Sequence, residues 1–294
     1  FRAMGNSEVS MKVSLLMNAI NVSGNAILIY GFHCGTEGVA IPTLVSRFVA
    51  AFIIIKLLLK DKWSLHLERT YRFNPDWSMI RKILSVGIPN GLENSMFQLG
   101  KVLVLSLVST FGTYAIAANA VSNVITLFSI LPGQAICLAV TTVIARCVGA
   151  GDYEQAKYYN KKLILLTHIG MAITIFIVFI TLPFILKVYN LSEAASEATR
   201  HIIWFHGFCA ILIWAESFTL PATFRACGDA KACMIISTVS MWIFRVGASY
   251  ILGKNLGLGV FGVWVAMIID WAFRSLLFGI RYFSGKWKKH ALVS

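Results

Sequence analysis

The sequence predicts an all-α integral membrane protein with eight transmembrane helices. Three observations carry that expectation. Charged residues make up 13% of the chain and hydrophobic ones 57%, with a mean hydropathy of +0.74, whereas a soluble domain carries about 25% charge. The apolar residues gather into eight runs, 11–31, 38–59, 80–109, 114–145, 161–189, 195–224, 233–253 and 260–283. Each is long enough for the roughly 20-residue helix that crosses hydrocarbon. The basic residues occupy alternate connections between the runs, so the net charge of +13 reads as membrane topology rather than a nucleic-acid footprint.

Taken in order, Arg2 and Lys12 flank the start of the first run, and Lys60, Lys62, Arg69, Arg72, Arg81 and Lys82 gather between the second and third. Arg146, Lys157, Lys161 and Lys162 lie between the fourth and fifth, Arg225 and Lys231 between the sixth and seventh, and Arg281, Lys286, Lys288 and Lys289 after the eighth. The opposite connections hold chiefly Lys187, Arg200 and Lys254. The excess of basic residues on one side predicts a multi-pass plasma-membrane protein with both ends in the cytoplasm. The third and fourth runs are interrupted at Gly87-Ile88-Pro89 and Pro132-Gly133, breaks that survive in lipid only where neighbours or a lined cavity satisfy the freed backbone. Between the second and third runs, Asn74-Pro75-Asp76 predicts an N-cap, a proline at the first helical position and an acid in the first turn. The segment Trp77 to Leu84 is basic on one side, which predicts an interfacial helix bending inward at Gly87–Pro89. Six cysteines without CxxC spacing indicate neither a disulfide framework nor a zinc site.

The chain also repeats itself. FRAMGNSEVSMKVS (Phe1–Ser14) and FRACGDAKACMIIS (Phe224–Ser237) align on Phe, Arg, Ala, Gly, Met and Ser at a shift of 223 positions, with Asn6 over Asp229. Each is followed by an apolar run, a turn with Gly-Val (Gly38-Val39, Gly262-Val263) and another apolar run. Repeats of this length are the halves of membrane transporters, which rock about a site near the midplane. The first copy stands at residue 1, so the sequence is expected to be the tail of one repeat followed by a complete one. The expected organisation is the end of a first lobe over 1–59, a cytoplasmic linker over 60–79 and a second lobe with a cytoplasmic tail over 80–294.

Ionisable residues near the bilayer centre cost about 2.5–3.5 kcal/mol on insertion scales and so face protein or water. The third run is densest, with Asn90, Glu93, Asn94, Gln98 and Lys101 on a face roughly 140° wide. Glu93 is the first candidate for holding a proton, a sodium ion or an organic cation; its plainer fate is neutralisation by Lys101 or by a hydrogen bond within the bundle. Asn119, Ser122, Asn123 and Thr126 form one stripe, and Ser14, Asn18, Asn21 and Asn25 another, which serve either as a cavity wall or as interhelical glue. Glu216 precedes Pro221 and is either functional or buried in protonated form. Asp270 and Arg274 stand four residues apart and suit mutual neutralisation, with Arg245 a further potential partner. His168, His201 and His206 share no metal-ligand spacing. No GxxxxGK[ST], HExxH or nucleophile elbow occurs. Polar inner faces without an energy-coupling domain point to secondary transport, with no cofactor beyond the coupling ion.

SVGIPNGLENSMFQLGKV (Ser85–Val102), LPGQAICLAVTTVIARCVGAGDYEQAKYYNKK (Leu131–Lys162) and FRACGDAKACMIIS with the later GVWVAMIIDWAFR together resemble the multidrug and toxic compound extrusion family over essentially the whole chain. The resemblance implies a twelve-helix transporter of two six-helix lobes, exporting amphipathic, cationic, drug-like molecules in exchange for protons or sodium ions, as a monomer in the bilayer and not as an enzyme. It places coupling acids at Glu93 and Glu216; Asp270 is the third intramembrane acid considered for coupling. Asn90, Asn94, Gln98, Lys101, Asn119 and Asn123 are the candidate cavity residues. A flippase of lipid-linked saccharides shares the two-lobe plan and calls for a cationic cavity. A membrane-embedded transferase calls for a carboxylate cluster, against which Asp152, Glu154 and Asp229 are scattered.

Overall fold

The computed structural model describes residues 1–2, 4–60, 63, 66–67 and 75–290. The expectations for Lys62, Arg69, Arg72 and Asn74 therefore fall outside the described residues. Eight long helices are present among them: α1 (Ser7–Gly31), α2 (Glu37–Leu58), α3 (Trp77–Ser109), α4 (Thr113–Gly149), α5 (Tyr153–Tyr189), α6 (Glu193–Ala226), α7 (Ala230–Asn255) and α8 (Gly259–Phe283). A short 3₁₀ turn, Lys286–His290, follows. Seven of the eight are long and apolar enough to cross a membrane. The exception is α3, which carries Arg81, Lys82, Glu93 and Lys101 along its length. Exposed apolar rows such as Phe176, Ile180 and Phe184 on α5, each more than 60% exposed, suit a solvent of acyl chains.

Two expectations about local structure are corrected. Asp76, expected in the first turn of α3, is its N-cap: its side chain accepts from Ser78 N at 2.9 Å and Met79 N at 3.1 Å, and the helix begins at Trp77. From there α3 runs unbroken through Pro89, and α4 likewise runs through Pro132, so the expected interruptions at Gly87–Pro89 and Pro132–Gly133 do not break the helices and Trp77–Leu84 is the first part of α3. A proline removes only its own N–H from the helical ladder, and the flanking turns continue the helix. Asp152 caps α5 through Gln155 N at 2.8 Å, which starts that helix eight residues before the apolar run.

The chain divides into two compact units, Phe1–Pro75 and Asp76–Ser294. In the first, α1 and α2 form a hairpin. Asn21 donates to Thr43 Oγ1 at 2.9 Å and Asn25 to Asn21 at 3.2 Å, so this part of the asparagine stripe is interhelical glue. In the second unit, α4 packs along α5 and α6, α3 lies against α7, and α8 is held by α6 and α7. One core gathers Trp214, Trp264, Trp271, Met171 and Ile175, and another Phe224, Phe278, Ile144, Cys233 and Trp287.

The repeated phrase folds twice into the same turn. Gly5 and Gly228 have φ of 82° and 85°, a region that glycine alone enters readily. Asn6 N donates to Phe1 O at 2.9 Å, and Asp229 N to Phe224 O at 2.9 Å. Gly5 N and Gly228 N reach Arg2 O and Arg225 O at 2.9 and 3.1 Å. A helix then starts at Ser7 in one copy and Ala230 in the other.

Candidate functional site

The site lies inside the second unit and begins with a glycine. A Cβ on Gly100 would come within 2.3 Å of Met241 Cε, so the bare backbone lets α3 press against the Met241–Gly247 segment of α7. That segment is a π-helical turn, and it carries Arg245. The close approach brings three cations around the ring of Phe97: Lys101 Nζ at 5.3 Å, Arg245 Cζ at 5.3 Å and Arg274 Cζ at 5.7 Å from its centroid. Such distances fit attraction to the π face.

These groups edge a cavity of about 600 Å³. Its polar members are Lys101, Arg245, Asn123, Thr126, Gln134 and His206. Aromatic walls come from Trp214 and Phe218 on α6 and from Trp264 and Trp271 on α8. Trp214 immediately precedes a second π turn, Ala215–Thr219, and Phe218 lies within it. His206 is buried against the edges of Trp264 and Trp271, centroids 5.5 and 5.2 Å away. A recess of about 200 Å³ shares Lys101, Asn123 and Arg245 and adds Asn119, whose Oδ1 accepts from Trp264 Nε1 at 3.1 Å.

Of the six expected cavity residues, Lys101, Asn119 and Asn123 line this space. Asn90, Asn94 and Gln98 do not: they lie elsewhere on α3, and the Asn94 amide satisfies itself on Asn90 O at 2.9 Å. The three acids are all withdrawn from the cavity wall. Glu93, 7% exposed, is held through both oxygens by Arg225 Nη2 at 2.8 and 2.9 Å; its partner is therefore not Lys101. Glu216 Oε1 lies 3.0 Å from His168 Nε2, within hydrogen-bond distance, and Nδ1 of that imidazole is 2.7 Å from Ile211 O. Asp270 is fully buried, accepts from Ser240 Oγ at 2.5 Å, and has Arg245 Nη1 at 3.9 Å. The expected pairing of Asp270 with Arg274 is replaced by this contact, while Arg274 Nη2 donates to Ser217 O at 3.2 Å.

The arrangement has two consequences. Lys101 Nζ makes no ion pair or hydrogen bond among the described residues, and the Arg245 guanidinium has only the distant Asp270 carboxylate. The cavity thus presents cations and aromatic faces, with its acids tied elsewhere. Among the described residues no three His, Cys, Asp or Glu side chains gather to hold a metal ion. Sequence reading did not single out Phe97, Gln134 or the tryptophans; the spacing of Trp264 and Trp271 along one helical face was the available signal.

A family profile described as MatE matches residues 89–251. The whole chain is 27% identical over 298 residues to a probable multidrug resistance protein NorM of Thermotoga maritima, of which it covers 63%. A probable multidrug resistance protein of Bacillus subtilis, YoeA, is 25% identical over 298 residues, with 99% of this chain and 64% of that one covered. An outward-facing multidrug resistance MATE family transporter of the MOP superfamily superposes with a TM-score of 0.85 at 20% identity, over 95% of this chain and 63% of that structure. A MOP superfamily transporter from Pyrococcus furiosus, described as having a binding pocket of reverse polarity that suggests a different function, superposes at 0.83 with 21% identity, over 94% and 62%. The chain spans about 63% of the length of the curated relatives it matches.

Proposed function

The chain belongs to the MatE family, and from that premise we propose that it forms the greater part of a secondary active exporter of amphipathic small molecules, working by exchange for protons or sodium ions. The observation that carries this reading is the open-sided cavity of about 600 Å³ between helices of a single bundle, walled by Trp214, Phe218, Trp264 and Trp271 and marked by a few polar groups. Apolar and aromatic walls with sparse, well-placed polar groups suit drug-sized ligands, and a site between the helices of one repeat suits alternating access.

On this reading α3 also spans the membrane, its polar positions tolerated because Glu93 is paired and Lys101 faces the cavity. Residues 1–59 supply the last two helices of a first lobe, 60–79 the linker and 80–294 a second lobe of six. Both ends face the cytoplasm, and the protein works as a monomer in the plasma membrane. Coupling rests on the acids. Glu216 fits proton exchange best of the three: it shares one oxygen with an imidazole, and its Oε2 has no partner among the described residues. Protonation of such a site changes the charge of a packed helix and so biases which side the lobe opens.

The test is transport by the complete protein in proteoliposomes under an imposed pH or sodium gradient, wild type against Glu216→Gln. Gradient-driven export in the wild type, reduced at least tenfold by the substitution, is expected. Export unchanged by Glu216→Gln moves coupling to Glu93 or Asp270, and no gradient-driven movement of any amphiphile by the wild type overturns the transport reading.

A further inference from the structure

We propose that this cavity selects amphipathic organic anions, an aromatic body carrying a carboxylate, sulfonate or phosphate, in contrast to the cationic compounds expected from the family resemblance. The inference rests on the reading of the cavity as the transport site and adds the charge of what it takes.

The argument starts from where each charge points. Lys101 and Arg245 both line the cavity, and neither has a hydrogen-bonded counterion among the described residues. Both sit 5.3 Å from the centroid of the Phe97 ring, so the ring attracts both although they repel each other. A third cation, Arg274, reinforces the field from behind, its Cζ 4.7 Å from the centroid of Phe218 and 5.7 Å from that of Phe97. Its Nε and Nη1 are buried without partners.

Asp270 is the one carboxylate in an ion pair with any of these three cations among the described residues. That carboxylate is fully buried, one oxygen is taken by Ser240, and Arg245 lies between it and the cavity as its nearest ion partner. A cationic ligand would have to displace Arg245 to reach it and would meet Lys101 on the way. Glu93 and Glu216 are equally removed, one clamped by Arg225 and the other by His168. An oxyanion between Lys101 and Arg245 supplies what both cations lack, in charge-assisted hydrogen bonds that a guanidinium forms in bidentate geometry. The Asn123 and Gln134 amides offer further donors in the same space. An aromatic body would then lie against Trp264, Trp271 and Trp214. The cavity therefore recognises both halves of an amphipathic anion.

The experiment compares two probes that share a ring and differ in charge, naphthalenesulfonate and naphthylmethylammonium. Each is titrated calorimetrically into the complete protein in nanodiscs of zwitterionic lipid. The sulfonate is expected to bind at least tenfold more tightly and to weaken as salt rises. Lys101→Gln should weaken it about tenfold, the loss of one charge-assisted contact, while Lys101→Arg restores it. Arg245→Lys keeps a charge near Asp270, so it folds if the wild type does; it should weaken the sulfonate severalfold through lost bidentate geometry. Tighter binding of the ammonium, or no response of the sulfonate to salt and to Lys101→Gln, overturns the proposal. In discs containing phosphatidic acid, loss of sulfonate binding would reassign the cations to a lipid phosphate and overturn the soluble-solute assignment. Proteoliposome assays separate the two readings: export of the ammonium without the sulfonate sinks the charge assignment alone, whereas tight sulfonate binding without gradient-driven movement of either probe sinks the transport reading alone.

Discussion

Neutralising Glu93 is expected to destabilise the protein measurably, and the structure sets the size of the effect. Both Glu93 oxygens accept from Arg225 Nη2 at 2.8 and 2.9 Å, and the two side chains are 9% and 26% exposed. Breaking a fully buried pair by removing one partner costs about 3–5 kcal/mol, and exposed pairs contribute at most about 1. The quarter-exposed guanidinium places this pair between those limits, at about 2–4 kcal/mol for Glu93→Gln. For a domain of this size that is a fall in Tm of roughly 5–12 °C. The assay is a double-mutant cycle on the purified protein, with Glu93→Gln, Arg225→Gln and the double variant followed by tryptophan fluorescence on heating. The double variant should be clearly less destabilised than the sum of the singles. Losses that add to within about 0.5 kcal/mol, or a Glu93→Gln Tm within about 1 °C of wild type, would refute the pairing. Export measured on the same variants then assigns the role: loss of export in a folded Glu93→Gln protein makes the acid part of coupling, and retained export leaves it a tie between α3 and the Phe224–Asp229 turn.

Gly228→Ala and Gly5→Ala should each cost about 1–2 kcal/mol, because both place a Cβ at φ near 80°; equal thermal losses check that the two copies of the turn are equivalent. Gly262→Ala should cost about 1–3 kcal/mol in the same assay, since its Cβ would meet the Leu252 backbone at 2.8 Å and a backbone neighbour cannot swing aside. Phe97→Leu should lower stability by about 1–3 kcal/mol by removing the ring shared by Arg245 and Arg274; a Tm unchanged within error would show that the ring contributes no attraction.

What the sequence made legible follows from what hydrocarbon demands of a chain. A spanning segment must be largely apolar and helical along its length, so the seven helices long and apolar enough to cross a membrane are visible without any tertiary information. Their ends are less visible, because a helix continues into the aqueous boundary as an amphipathic segment, as α5 does between its cap at Asp152 and the apolar run. The repeated turn was legible because its conformation needs glycine at one fixed position, Gly5 or Gly228. Pairings between helices were not. Glu93 and Arg225 are 132 positions apart and His168 and Glu216 are 48 apart, and their contact depends on helix rotations that no local pattern encodes. The broad polar face of α3 shows the same limit: its periodicity identifies Asn90, Asn94, Gln98 and Lys101 as one side of the helix, but only Lys101 at its edge reaches the cavity.

Arg274 illustrates how the irregular backbone and the cavity depend on each other. A π turn leaves carbonyls of the helix without their usual donors, which lipid cannot supply. In the Ala215–Thr219 turn those carbonyls find side chains instead: Ser217 O accepts from Arg274 Nη2 at 3.2 Å, and Phe218 O from Cys137 Sγ at 3.7 Å. Ser217 Oγ in turn donates to Trp271 O at 2.6 Å, fixing α8 against the same turn. One guanidinium arm is thus committed to holding the turn that carries Phe218 beside Trp214 on the cavity wall. Arg274 is therefore a positioning residue whose charge is felt through aromatic rings rather than by contact. Lys101 and Arg245 are the two cations that the fold leaves facing the cavity, and on the proposed reading they meet a ligand's charge directly.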